Sequence, residues 1–263
     1  MLKSRYFMKI NWDIFQEKRC ICCGRPFFPT TCTHSIENYI RTHLCAECAK
    51  EIKQRTTGYC RHCGKLLLDE KQILPRCGQC GDSLDLWEDF SFFAKYDGIF
   101  RELILQAKFN HNRADTKFLG ELSALHFMEH NQNLEKPLQK LNIIPMPLHD
   151  RRLMHRGYNQ CLEILKFFIR YLHKHTNYQI NLYTDILQKK VHTVPQSTLD
   201  KNERQKNIKN SFTVSENSVS ENSLKEIILF DDIATTNSTL KEACKELKKS
   251  GIKTIHILVL AKA

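Results

Sequence analysis

Along the second half of the chain, short apolar runs alternate with longer stretches in which apolar residues recur every three or four positions. The short runs predict strands at 90–96, 141–147, 182–187, 227–230 and 254–260. The helical spacing predicts helices over 100–109, 117–128, 162–172 and 240–247. Polar loops are predicted at 129–140 and 215–223. Buried strands that alternate with amphipathic helices are typical of an α/β domain with a mainly parallel sheet flanked by helices.

The first third of the chain differs, because it contains ten of the twelve cysteines. Two C-x-x-C pairs supply the four thiolates of a tetrahedral zinc site, so four pairs predict two structural zinc ions. Intervals of 21 and 13 residues favour pairing in chain order, although a cross-braced arrangement or a redox role also fits. We therefore predict a small double zinc-ribbon module over 1–88, followed by the α/β domain over 89–263. The predicted metal ligands are Cys20, Cys23, Cys45, Cys48, Cys60, Cys63, Cys77 and Cys80.

The net charge narrows the range of partners. A formal charge of +11 at pH 7 suits polyanions such as nucleic acid or a polyphosphorylated nucleotide precursor. No run approaches the roughly 18 to 20 apolar residues that a membrane span needs, and charged residues interrupt residues 1–19, where a secretory signal would lie. We therefore expect a cytoplasmic protein without a membrane span, in which clustered thiols bind metal.

The stretch 227–239 carries the clearest chemistry. The strand predicted at 227–230 is followed by two carboxylates, Asp231 and Asp232, and then by a run of hydroxyl side chains that leads into a helix. Backbone N–H groups at such a turn favour phosphate, and carboxylates accept hydrogen bonds from ribose hydroxyls or hold Mg²⁺. The pattern predicts a ribose 5-phosphate site. The alternative is a ligand-free turn with a capping box from Thr239 to Glu242.

A second group of polar residues follows the strand predicted at 141–147. It is a cationic loop over 149–156 that contains three arginines. Guanidinium groups pair well with phosphate oxygens, so this loop suits a pyrophosphate, although a solvated basic loop is the alternative. The basic segment 193–212 is expected to pack near or over the same site.

The stretch from Asp231 to Thr239 resembles the motif of type I phosphoribosyltransferases that binds 5-phosphoribosyl-1-pyrophosphate (PRPP). Asn237 stands where that family's loop has glycine, and we expect the turn to persist because asparagine tolerates the left-handed conformation. The resemblance implies that Asp231 and Asp232 hold the ribose hydroxyls, with Mg²⁺ accompanying PRPP. It implies a 5-phosphate loop formed by Ala234, Thr235, Thr236, Asn237, Ser238 and Thr239, and a pyrophosphate side formed by Arg156, Arg151 and Lys108.

The order of motifs along the whole chain resembles the ComF family. After the cysteines come Lys108-Phe109, a Pro-x-Pro strand exit at 145–147, Arg-Gly-Tyr-Asn-Gln at 156–160 and Gln-Ser-Thr-Leu at 196–199 with Arg204 and Asn207. This resemblance implies a role in competence, that is, in natural transformation or DNA uptake, with single-stranded DNA and the uptake machinery as partners. Two hypotheses remain open: a phosphoribosyltransferase acting on an unknown acceptor, and an accessory protein that uses the transferase fold as a scaffold or PRPP sensor. The zinc ribbons would contact DNA or dock on the neighbouring domain.

Overall fold

The computed structural model describes residues 16–29, 35–80, 85–110, 112–190 and 211–263. The chain divides into two compact units between Ile52 and Lys53. The first two C-x-x-C pairs therefore lie in the smaller unit and the last two in the larger unit, while a functional boundary after residue 88 stays a prediction. None of the helices in the described ranges combines the length and the apolar character needed to cross a bilayer.

In its described residues, 16–29 and 35–52, the smaller unit contains two short strands and two helices. Strands β1 (Lys18–Arg19) and β2 (Pro26–Phe27) pair antiparallel, and helices α1 (Ile36–His43) and α2 (Ala46–Glu51) follow. The Ser35 hydroxyl accepts a hydrogen bond from Asn38 N at 3.3 Å and so caps α1. The apolar core of this unit is small, which is typical of modules that rely on a metal.

The larger unit is built on a five-stranded sheet in which every pairing is parallel. Two short strands, β3 (Tyr59–Cys60) and β4 (Ile73–Leu74), precede it. Its strands are β5 (Asp89–Lys95), β6 (Lys140–Pro145), β7 (Gln179–Leu182), β10 (Glu226–Ala234) and β11 (Thr254–Lys262). They lie in the order β5-β11-β10-β6-β7. With the helices that flank it, this sheet confirms the predicted α/β fold class.

Helices cover the sheet and join its strands. Those in the described ranges are α3 (Gly98–Phe109), α4 (Arg113–Gln132), α5 (Asp150–Arg156), α6 (Gln160–His175), α7 (Glu216–Glu221) and α8 (Ser238–Lys249). The chain leaves β6 toward β7 on one side and leaves β10 toward β11 on the other. The carboxyl ends of β6 and β10 are therefore a topological switch point, where open parallel sheets bind their ligands.

Four predictions about the elements were wrong. The strand predicted at 182–187 is two strands, because β7 ends at Leu182 and β8 (Leu187–Lys189) pairs antiparallel with β9 (Phe212–Val214). The cationic loop contains helix α5, which His149 caps, and the polar repeat at 215–223 contains α7, which Ser215 caps. Capping side chains stabilise short polar helices that carry no hydrophobic period. The loop predicted at 129–140 is shorter, since α4 continues to Gln132 and β6 begins at Lys140.

Candidate functional site

A cavity of about 750 Å³ lies at the carboxyl ends of β6 and β10. It brings together nearly all the residues predicted to bind PRPP, although they come from three separate parts of the sequence. Those that line it are Lys108, Arg151, Arg156, Asp231, Asp232, Ala234, Thr235, Asn237, Ser238 and Thr239. Thr236 is the exception, because it lines only a second cavity, of about 690 Å³, to which Thr235, Asn237 and Ser238 also contribute.

The two adjacent carboxylates lie near the end of β10. Asp232 Oδ2 accepts a hydrogen bond from Lys108 Nζ at 2.9 Å, and Asp231 Oδ1 accepts one from the Asp232 backbone N–H at 2.9 Å. Burial, and then the charge of Asp232, raise the pKa of Asp231 to about 7. For Lys108, burial works against the charged form, but the two carboxylates outweigh it and raise the pKa of the ammonium. Lys108 therefore contacts the acid pair, and its assignment to the pyrophosphate side stays a prediction.

Cys161 is a site residue that the sequence interpretation missed, because it was assigned only to the core face of its helix. Its thiol, in the first turn of α6, donates to Asp231 Oδ1 at 3.5 Å. Burial first, and the nearby carboxylates next, raise the pKa of this thiol well above its usual value, so it stays protonated. The signal that could have found it is its place directly after the Arg-Gly-Tyr-Asn-Gln motif.

A tight loop connects β10 to α8. Asn237 has φ +61° and ψ 7°, so the expectation that asparagine would keep the left-handed turn is confirmed. Helix α8 begins at Ser238 with Asn237 as its N-cap residue and without a side-chain capping bond. The alternative that placed the cap at Thr239 is therefore wrong. Because the first-turn N–H groups of a twelve-residue helix face this end of the sheet, the loop suits an anion.

The Arg-Gly-Tyr-Asn-Gln motif fixes the cationic side of the cavity. Gly157 has φ +78° and ends α5 in the left-handed conformation. The Tyr158 hydroxyl donates to the Ala107 carbonyl at 2.7 Å, and Asn159 Nδ2 donates to the Met146 carbonyl at 3.1 Å. The Arg156 guanidinium carbon lies 5.0 Å from the centroid of the Phe109 ring, a cation–π distance. The motif therefore ties α5 to both α3 and the end of β6.

Two further cations line the cavity. Lys189, at the end of β8, was not singled out from the sequence, and burial together with the charge of Arg152 lowers its pKa to about 8. Burial, and then Arg156, lower the pKa of Arg152. Burial is the main cause of both shifts, but the contributions of Arg152 and Arg156 show that several positive charges lie close together here, so this side of the cavity suits a polyanion. No sequence pattern indicated Lys189, because one strand was predicted over 182–187 and β8 was not predicted as a strand of its own.

The eight predicted metal ligands form two clusters, in chain order. Cys20, Cys23, Cys45 and Cys48 form the first cluster, and Cys60, Cys63, Cys77 and Cys80 form the second. In the first cluster the sulfurs of Cys23 and Cys45 lie 3.8 Å apart, and in the second cluster the closest sulfurs lie 3.6 to 3.7 Å apart. Four sulfurs at about 2.3 Å from one zinc ion lie about 3.8 Å apart. Sequential pairing is confirmed, and both clusters could bind zinc.

Each cluster contains the tight turn expected of a zinc knuckle. Gly24 N donates to the Cys20 carbonyl and Gly64 N to the Cys60 carbonyl, both at 2.8 Å. Both glycines have positive φ, near +70°. At Gly64 a side chain is also excluded by packing, because a Cβ there would lie 2.3 Å from the Phe90 ring.

Relatives with a curated description match nearly the whole chain. Competence protein F of Haemophilus influenzae is 31% identical over 239 residues, which cover 90% of this chain and 99% of that protein. The chain belongs to the ComF family. The DNA utilization proteins YhgH of Shigella flexneri and of Escherichia coli K12 are 26% and 25% identical over 230 residues, covering 83% of this chain and 96% of each relative. No protein-family model matches the chain.

Most of the ComF motifs read from the sequence meet at the cavity or support its walls. Lys108-Phe109, the strand exit at 145–147, the 156–160 motif and the loop after Asp231 all do so. The motif at 196–199, with Arg204 and Asn207, lies outside the described residues. Residues 193–210 of the basic segment 193–212 also lie outside the described residues.

Proposed function

We propose that the cavity at the switch point binds PRPP together with Mg²⁺. The observation that carries this proposal is the convergence, in one cavity of about 750 Å³, of an acid pair, a loop at a helix N-terminus and a cationic wall. PRPP has the matching groups: a ribose diol, a 5-phosphate and a pyrophosphate. The loop 234–239 would hold the 5-phosphate, and Asp231 and Asp232 would accept hydrogen bonds from the diol.

The cationic side of the cavity would bind the pyrophosphate. Arg151 and Arg156 line that side, with Arg152 and Lys189 beside them, and guanidinium groups form paired hydrogen bonds with phosphate oxygens. Magnesium, when bound, neutralises phosphate charge, and the carboxylate oxygens of Asp231 and Asp232 are the hard donors that would hold it, directly or through water. A ligand would also replace Lys108 as the nearest partner of the acid pair or share that pair with it.

A transferase reaction at this site would displace pyrophosphate from the anomeric carbon. The bond from the acceptor nucleophile to that carbon forms while the carbon–oxygen bond to pyrophosphate breaks, and the electron pair leaves with the pyrophosphate oxygen. The arginine side would stabilise the negative charge that develops there, which is the largest electrostatic contribution in such a site.

Calorimetric titration with PRPP and Mg²⁺ tests the proposal. We expect one molecule bound per chain and a loss of at least about 100-fold in affinity for Asp231→Asn/Asp232→Asn. Asp185→Asn is the matched control, because Asp185 is exposed and outside the residues that line the cavity. Absence of binding by the wild-type protein, or equal binding by the acid-pair variant, would contradict it.

The names of the relatives favour a cellular role in competence or DNA utilisation, in addition to ligand binding at the cavity. We propose that this chain takes part in handling single-stranded DNA in the cytoplasm, which its net charge of +11 also supports. Binding of the full chain to a labelled oligonucleotide should weaken steeply with salt, by about 0.7 in log–log slope for each phosphate contacted. Binding that is absent at low salt would contradict this role.

The transferase and the accessory hypotheses differ in turnover. A transferase releases pyrophosphate when PRPP and the right acceptor are supplied, whereas a sensor or scaffold binds PRPP without consuming it. The measurement is pyrophosphate release with free bases, nucleosides and oligonucleotides as candidate acceptors. Release that requires both an acceptor and the acid pair would establish the enzyme; binding without release across this series would favour the accessory role.

A further inference from the structure

The side chain of Asn237 reaches out of the phosphate loop to the second cysteine cluster. Its Nδ2 donates to the carbonyl oxygen of Cys63 at 2.6 Å, a contact between residues 174 positions apart in the sequence. The residue is only 7% exposed, so the bond is largely shielded from water. Glycine, which the transferase motif has at this position, fits the left-handed backbone equally well but has no side chain to make such a bond.

The turn that accepts this bond is itself fixed on the sheet. The Trp87 indole N–H donates to the His62 carbonyl at 2.6 Å, and Gly64 packs directly against Phe90 of β5. The Cys63 sulfur lies 3.7 Å from that of Cys77 and belongs to the second cluster. A metal ion that holds these sulfurs therefore also fixes the carbonyl to which Asn237 donates.

The other end of the loop is anchored separately. Lys262 Nζ donates to the Thr235 carbonyl and, at 3.0 Å, to the Ala263 carbonyl. These bonds hold the start of the loop to β11, and the Asn237 bond holds its last residue before α8 to the cysteine turn. Of the two anchors, only the second passes through residues that a metal organises.

We propose that Asn237 is a positioning residue that couples metal binding at the second cysteine cluster to the shape of the phosphate loop. Metal in this cluster holds the Cys63 carbonyl, the carbonyl holds the Asn237 side chain, and the loop keeps its N–H groups directed at the cavity. Because coupling between two sites is reciprocal, a ligand that orders the loop must tighten the binding of metal to the second cluster. This reciprocal part rests on the proposed binding of PRPP.

The test measures the zinc affinity of the full chain by equilibrium competition with a chromogenic chelator. In Asn237→Gly and Asn237→Asp, both without the Nδ2 donor and both compatible with a left-handed turn, we expect one of the two zinc ions to bind about tenfold more weakly than in the wild type. A Cys20→Ser/Cys23→Ser variant loses the zinc of the first cluster and identifies the remaining zinc as that of the second. Thermal unfolding of each variant checks that it is folded.

The second arm adds PRPP and Mg²⁺. We expect it to tighten the binding of that same zinc by about tenfold in the wild type and by less than about twofold in Asn237→Gly. Equal zinc affinity of wild type, Asn237→Gly and Asn237→Asp without ligand would overturn the coupling. If the wild type does not bind PRPP, the proposed function fails, but the ligand-free arm still decides whether Asn237 couples the loop to the metal.

Discussion

The two sides of the cavity are built differently. The acid-and-loop side comes from β10 and the start of α8, and its polar groups are bonded to other parts of the protein: Asp232 to Lys108, Asp231 to Cys161 and Asn237 to Cys63. The cationic side comes from a seven-residue helix with no buried residue and from arginines with long side chains. We infer that one side is rigid and contributes to stability, whereas the other is held mainly by the 156–160 motif and adapts to its ligand.

The largest expected effect on stability comes from Lys108→Met. Lys108 and Asp232 are 19% and 9% exposed in their side chains, and removal of one partner of a buried pair leaves the other charge uncompensated. We expect a loss of about 3–5 kcal/mol in the free energy of unfolding, measured by urea denaturation. The exposed pair Lys95–Asp97 is the control, since Lys95→Met should cost less than about 1 kcal/mol.

A double variant sharpens this result. Lys108→Met/Asp232→Asn removes both charges, so it should recover most of the stability that Lys108→Met alone loses. Equal losses for Lys108→Met and Lys95→Met, or no recovery in the double variant, would mean that the acid side is not a rigid, charge-paired structure.

The next effect concerns Asp231, whose pKa of about 7 in the folded protein lies above its ordinary value of 3.8. The folded protein therefore favours the protonated form of Asp231. As pH rises from about 4 to 7, the ionised form costs the folded state an increasing amount of stability, and above pH 7 this cost is constant. Asp231→Asn should stabilise the ligand-free protein at pH 8, on the order of 2 kcal/mol, and much less near pH 4.5. Thermal unfolding at both pH values measures this difference.

The same substitution should weaken PRPP binding, so stability and function would change in opposite directions. Asp185→Asn, at an exposed carboxylate, should change neither stability nor binding at either pH. If Asp231→Asn is less stable than the wild type at pH 8, the conclusion that the ionised Asp231 destabilises the folded protein is contradicted.

Cys161 gives a smaller effect on the same side. Cys161→Ala removes the donor to Asp231 and should raise the pKa of that carboxyl further, shifting the pH dependence of PRPP affinity upward by about half a unit. Cys161→Ser keeps a hydroxyl donor and should leave the pH profile close to that of the wild type. Calorimetry across pH 6 to 8.5 separates the two. Identical profiles for Ala and Ser would show that the thiol only fills space.

The smallest effect on stability belongs to Arg156→Ala. The Arg156–Phe109 contact is at an exposed ring and should be worth about 0.5–1 kcal/mol, whereas the affinity for PRPP should fall about 10- to 100-fold because a charged hydrogen bond to phosphate is lost. For Arg156→Lys we expect an affinity for PRPP between that of the wild type and that of Arg156→Ala. If Arg156→Ala loses much stability but keeps its affinity for PRPP, Arg156 has a structural role. The cationic side would then not differ from the acid-and-loop side.

The contrast also explains what could be predicted from the sequence. Asp231, Asp232 and the loop lie next to one another in the chain, so a short strand pattern followed by acids and hydroxyls was sufficient to locate them. The parallel sheet followed in the same way from its buried strands. Cysteine spacing favoured the sequential pairing that the sulfur positions confirm.

The rest depends on tertiary contacts between distant residues. Lys108 and Asp232 are 124 positions apart, and Asn237 and Cys63 are 174 apart, so no local pattern records that they meet. Helix α5 was missed because it is short, polar and stabilised by the His149 cap and Gly157 rather than by an apolar face. Lys189 was missed because the turn between β7 and β8 lies inside a run that resembles one continuous strand.

The most direct test of the account uses two ligands that are each part of PRPP. Ribose 5-phosphate and pyrophosphate are titrated by calorimetry, with Mg²⁺, into the wild type, Ser238→Ala and Arg156→Ala. We expect Ser238→Ala to weaken the binding of ribose 5-phosphate about 5- to 10-fold and that of pyrophosphate by less than about twofold, and Arg156→Ala to do the reverse. If each variant weakens both ligands equally, or if neither ligand binds the wild type, the two-sided PRPP site is contradicted.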